Sequence, residues 1–306
     1  MTRGTMIYAA GLGMAFLVAG CSVSPIVKRA SDFATAATAA SKDATNAYQL
    51  VEQEHYNAEV ERLVTNFGTA GFDLNSIQPF MQPDEMDART KLIKGLNEYA
   101  EALAAVAGDQ PLTDFDTQAE AIGKSLQDLS KSDALTSMVA KAKISTVDLN
   151  AVTTAVDALG RAIINHKRSS ELPALLKAAK GPIATICTLL QADIGDSEKS
   201  GLRNQLKNDY LTDIEKQERF IKNNPTLNPI DRQTAIKGLA VLAKAARDGD
   251  KTLASTQKEL ADLAKTNAAL SEADKKKDSP AFKALLSELV SDGQQLRGFY
   301  EKLPAK

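Results

Sequence analysis

Apolar positions recur every three or four residues along almost the whole chain from Ser24 onward, and no run of alternating β-branched residues interrupts them. That period predicts helices and no sheet. After Pro25 the stripe Phe33, Ala37, Ala40, Ala44, Tyr48, Val51, Tyr56, Val60, Leu63 and Phe67 predicts a helix over 30–67, about 55 Å long at the helical rise. Its first part is rich in Ala, Ser and Thr and reads equally as a flexible tether. Gly68, Gly71, Pro79 and Pro83 mark a loop. A second helix is expected from Asp84 to Gly108, between an acidic first turn and a terminal glycine, with Ile93, Leu96, Ala100, Leu103 and Ala107 on one face. A third is expected over 113–131 and a fourth from Ser145, through Leu149, Val152, Val156, Leu159 and Ile163.

Pro173 and Pro182 each read as the first-turn proline of a short helix. Gly195 ends the apolar face that runs through Leu175, Ile183, Ile186 and Leu190. A helix over 198–222 then closes at Asn223-Asn224-Pro225. The longest pattern follows: Leu239, Leu242, Ala246, Gly249, Leu253, Thr256, Leu260, Leu263, Asn267 and Leu270 alternate by three and four. This is a heptad seam, in which Asn267 would set register at some loss of stability. A last helix follows Pro280. Together these predict an all-α fold, an elongated antiparallel helical bundle with long coiled-coil-like helices, over 30–306. The expected weak division lies near 195–201. Ile93-Lys94-Gly95-Leu96 and Ile236-Lys237-Gly238-Leu239 echo one another, but four residues do not establish a repeat.

Residues 1–20 have a different pattern. Arg3 is followed by an uncharged apolar run, Met6 to Val18, then by small Ala19 and Gly20, then Cys21. The run is a secretory signal in form and short of the roughly 20 apolar residues a spanning helix needs. Leu17-Val18-Ala19-Gly20-Cys21 resembles the lipobox of bacterial lipoproteins. The resemblance implies cleavage between Gly20 and Cys21, a diacylglycerol on the Cys21 sulfur and acylation, commonly by palmitate, of the new amine. Two or three acyl chains at roughly 0.8 kcal/mol per buried CH₂ hold a protein stably on a bilayer. Residues 21–29 are then the lipidated N-terminus and a short tether. Ser22, where an aspartate would favour inner-membrane retention, points to the outer membrane and a periplasm-facing domain.

Composition narrows the remaining choices. Net charge is −2 and mixed in sign, with no basic stripe of interleaved aromatics, so a nucleic-acid partner is not expected. Lys275-Lys276-Lys277 is flanked by Asp274 and Asp278 and reads as a solvated loop. Once lipidation consumes Cys21, Cys187 has no partner for an intramolecular disulfide, and its apolar neighbours suggest burial. Glu52-Gln53-Glu54-His55 places Glu52 and His55 one helical turn apart, the half-motif of di-iron bundles. The second half-motif is missing, because His166 has Ile163 three residues before it. Glu52 and His55 are therefore weak metal candidates, and packing on the apolar stripe is the stronger reading of His55. His166 reads as a cationic helix terminus. Glu52, Glu54, Glu59 and Glu61 read as a solvated face. No Gly-x-Ser-x-Gly elbow or phosphate loop is present.

The expectation is a non-enzymatic, membrane-anchored interaction or scaffold module with an envelope protein as partner and no cofactor. A carrier of a lipid or other hydrophobe between its helices is the alternative.

Overall fold

The computed structural model describes residues 25–65, 67, 72–108, 121, 123–141, 154, 157–162, 164–165, 171–273 and 279–300. Gly20, Cys21, Ser22, His166 and Lys275–Lys277 lie outside the described residues. Those described are helical or in turns, with no strand among them. The elements are α1 (Pro25–Thr65), α2 (Pro83–Gly108), α3 (123–129), α4 (Asp133–Lys141), α5 (157–162), α6 (Leu172–Ile194), α7 (Gly201–Asn223), α8 (Pro229–Glu272) and α9 (Pro280–Tyr300).

The helix ends follow local chemistry. Asn228 caps α8 by accepting from the N–H groups of Ile230 and Asp231 at 3.0 and 2.9 Å, ahead of Pro229, whose missing N–H is harmless in the first turn. Gly195 terminates α6 at φ +99°, a conformation that a Cβ would strain. The 130–132 turn separates α3 from α4, and the Ser132 hydroxyl accepts from Leu135 N–H at 3.2 Å.

α1 and α8 are the long elements, and they run antiparallel. Phe33 of α1 packs edge-on against Tyr99 of α2, with ring centroids 6.5 Å apart, and the Tyr99 hydroxyl donates to Asn267 of α8 at 2.7 Å. At the other end of α2, Glu52 of α1 binds the chain just before Pro83. α2 is therefore antiparallel to α1. α8 is antiparallel to α6, through Lys180–Glu272 and Gln257–Gln191, and to α7, through Arg203–Asp250. α9 packs along the C-terminal half of α8, where Lys258 pairs with Glu288 and Asp292. The C-terminal half of α8 is thus covered by α1, α6 and α9.

The alanine-rich first half of α1 is helix, not tether, and it begins at Pro25, five residues before the expected Ala30. Ala30, Ala37, Ala40, Ala44 and Ala47 are all fully buried. Side chains this small bring neighbouring backbones close, and the packing stabilises a helix that composition alone leaves open. Asp193 of α6 fastens three helices in the interior. Its carboxylate accepts from Arg89 Nε and Nη2 at 2.8 and 2.7 Å and from the Tyr48 hydroxyl at 2.9 Å.

Two expectations need correction. Pro182 opens no second helix: it lies inside a continuous α6. The ring removes one hydrogen bond, but Leu175, Leu176, Ala179, Ile183 and Ile186 on both sides of it bury into one core, and that burial carries the helix through. The seam of α8 is buried only from Gly249 onward, while Leu239, Leu242 and Ala246 are half-exposed. From there on burial extends beyond a single stripe, to Thr252, Glu259, Asp262 and Thr266. The two halves of the tetrapeptide echo occupy different environments, since Ile93 is buried and Ile236 is exposed.

Candidate functional site

α2 starts and α6 ends near the level of Glu52 and Tyr48 on α1. Past that level α1, α7 and the first half of α8 continue as a three-helix arm. Parallel α1 and α7 meet through His55–Asp209 and then Lys216–Ala58. No residue of α8 from Pro229 to Asp248 is buried. The arm instead exposes large apolar side chains: Val64, Phe220, Ile236 and Val241, with Ile230 at 75% exposure. The turn after α1 adds Phe67 at 76% and Leu74 at 66%, with the Phe67 and Phe72 rings 5.3 Å apart. Arg62 ties this turn to α1 by donating to the Ser76 hydroxyl at 2.9 Å. Among the described residues, Tyr56 and Leu211 are exposed nearer the base of the arm, and Val290 lies away from it. A surface that gathers apolar side chains at one end is the form an interaction site takes.

Two grooves open on the arm. One, of about 420 Å³, lies between α1, α7 and α8 and is lined by Glu61, Val64, Lys216, Phe220, Ile221 and Ala235. The other, of about 730 Å³, lies lower, where Leu50, Tyr210, Val241 and Leu242 meet Tyr300 of α9.

The interior of the arm is acidic. Asp209 and Asp213 of α7 are buried toward α1, and each has one oxygen with no hydrogen-bond partner. Asp209 accepts from Gln205 at 2.8 Å and lies 3.4 Å from His55 Nδ1. Burial, and then the Glu61 charge, pushes the Asp213 carboxyl up to about 6. Burial likewise raises Asp209. Carboxylates out of water destabilise the segment that holds them.

The two weak metal candidates have different partners in the protein. The Glu52 carboxylate accepts from the N–H groups of Phe80 and Met81 at 3.1 and 3.2 Å. His55 instead faces Asp209, with its ring 5.6 Å from that of Phe80. Glu52, Glu54, Glu59 and Glu61 are not a solvated face, since all four are half-buried. Cys187 is fully buried, and burial pushes its thiol up to about 12.

Sequence periodicity missed a second acidic cluster. Asp262, Glu288 and Asp292 bring carboxylate oxygens within 4.8 Å of one another. The Lys258 ammonium sits among them, 2.5 Å from Asp292, 3.1 Å from Glu288 and 3.4 Å from Asp262. This lysine takes the place a cation would fill, so the cluster reads as a clamp between α8 and α9. No family model matches the chain, and neither a curated protein nor a solved structure matches it.

Proposed function

We propose that the chain is a periplasm-facing lipoprotein of the outer membrane, a non-enzymatic module whose arm engages another envelope protein. The observation that carries this reading is the gathering of Val64, Phe67, Leu74, Phe220, Ile230 and Ile236 at the end of α1 opposite Pro25. Acylation of Cys21 places the lipid four residues before Pro25. The 41 residues of α1 then carry the apolar end as far as about 60 Å from the anchor. Such a surface gains by burial against a complementary protein face, at about 25 cal/mol per Å² of apolar area.

Crosslinking and mass spectrometry on membranes of the native host test the reading, with Cys21→Ala as control. The expected result is reproducible crosslinks to one envelope protein, lost in Cys21→Ala. Crosslinks to no protein would sink it.

A second reading, a carrier of a lipid or other hydrophobe, is favoured by the groove of about 730 Å³ between Leu50, Tyr210, Val241 and Tyr300. Native mass spectrometry of the delipidated domain is expected to retain a bound hydrophobe on that reading. Ligand-free protein would count against it.

A further inference from the structure

Three helices meet at a pair of carboxyls that the anchored-module reading does not use. Asp43 of α1 is 2% exposed and Glu259 of α8 is 1% exposed. Asp43 Oδ2 and Glu259 Oε2 are buried with no hydrogen-bond partner. Both side chains press on Gly293 of α9. A Cβ built there would lie 2.7 Å from Glu259 Oε1 and 3.8 Å from Asp43 Oδ2. A glycine at this point lets α9 close over the two acids.

The surrounding charges do not neutralise the pair. α1 contributes Lys42, α8 contributes Lys258 and Asp262, and α9 contributes Asp292, Arg297 and Tyr300. Lys258 is engaged with Asp262, Glu288 and Asp292. Arg297 Nε donates to the Gly293 carbonyl at 3.3 Å, and the Tyr300 hydroxyl donates to the Asp43 carbonyl at 2.9 Å. Two carboxylates facing one desolvated point repel when both are charged and coexist when one keeps its proton.

We propose that Asp43 and Glu259 form a proton-operated latch, which holds the C-terminal half of α9 on α1 and α8 while a proton is bound and frees it when both acids ionise. Burial holds both groups above the carboxylate range, Asp43 at about 6 and Glu259 at about 8. The Asp43 and Asp292 charges raise Glu259 further, and Arg297 acts against them. Acids raised by folding stabilise the closed state fully at pH below their ordinary values, and that stability is lost as pH rises through the folded values. The window here runs from about 4 to about 8. The proton passes to solvent, and no other group changes. Two features direct the opening. Phe282 and Leu289 anchor the first half of α9 in the main core, whereas Leu296 of the second half is buried outside that core and Tyr300 at the end forms a wall of the groove with Tyr210. Loss of the proton therefore swings out residues 293–300 and widens that groove.

Hydrogen exchange of the full mature chain between pH 5 and 9, corrected for the intrinsic rate, tests the latch. Protection of 293–300 is expected to fall with rising pH, by up to about tenfold per unit for each proton linked, while that of 282–289 stays level. Glu259→Gln, neutral at every pH, is expected to keep 293–300 protected throughout, and Asp43→Asn to reduce the pH dependence. Protection independent of pH in the unaltered chain would overturn the proposal. So would an undiminished pH dependence in Asp43→Asn and Glu259→Gln, whose fold is checked by circular dichroism.

Discussion

Arg89 and Asp193 are each less than 5% exposed and bond to one another, with Tyr48 donating to Asp193 and Arg89 also donating to the Glu85 carbonyl at 3.0 Å. Removing one partner of such a pair leaves a buried charge with nothing opposite it. Asp193→Ala is expected to lower stability by about 3–5 kcal/mol in urea denaturation. Lys28→Ala, which removes an exposed pair with Asp32, is expected to change it by less than about 1 kcal/mol. Equal effects would contradict this account of the core. Asp213 makes a separate claim. Its carboxyl is raised to about 6 by burial and by Glu61, so its stabilising protonated form disappears as pH rises from about 4 to about 6. Asp213→Asn should raise the melting temperature at pH 8 and leave it nearly unchanged at pH 4. A gain at pH 4 as large as that at pH 8 would argue against it. The half-buried position of His55 was legible from its place on the α1 stripe. Glu259 and Asp262 were not, because periodicity assigns faces relative to one stripe, and a helix covered from several sides keeps only the narrow solvent stripe of Lys251, Lys258, Lys265 and Glu272 in that half.

Most elements could be read from the sequence, and the exceptions have local causes. α2 was legible at both ends because Asp84 and Gly108 are ordinary start and stop residues. The first half of α1 was ambiguous because Ala, Ser and Thr say nothing about which neighbours exist, and Ala30 to Ala47 are helical by virtue of them. α4 was missed because its nine residues are short for a periodic signal, although Ser132 and Asp133 mark its start. Pro182 was read as a helix start because a local rule was applied where packing decides. In an unbroken α6, Pro182→Ala supplies the missing N–H and is expected to raise stability by up to about 3 kcal/mol, read as a higher melting temperature. A lower one would mean that the ring makes contacts worth more than the hydrogen bond.

At the scale of the molecule, the same two helices serve two purposes. In the body α1 and α8 are packed among α2, α6 and α9 by alanine, leucine and buried polar pairs. In the arm they pack with α7 over an interior that holds Asp209 and Asp213 beside Ala58 and Leu63, and Val64, Ile230, Ile236 and Val241 face outward. The sequence carried the fold class because helical period survives in every segment. It did not carry the apolar end, because exposure of Phe220 or Ile230 depends on which helices stop short, and α2 and α6 stop at the level of Glu52. The central claim is that this end meets a protein while Cys21 holds the other end at the lipid. Site-specific photo-crosslinking in the native host measures it most directly, with the reactive side chain placed at Phe220, at Ile230 and, as comparison, at Val290. The account predicts one envelope protein captured from positions 220 and 230, not from 290, and lost when Cys21→Ala is added. Capture from 290 alone, or from none of the three, would contradict it.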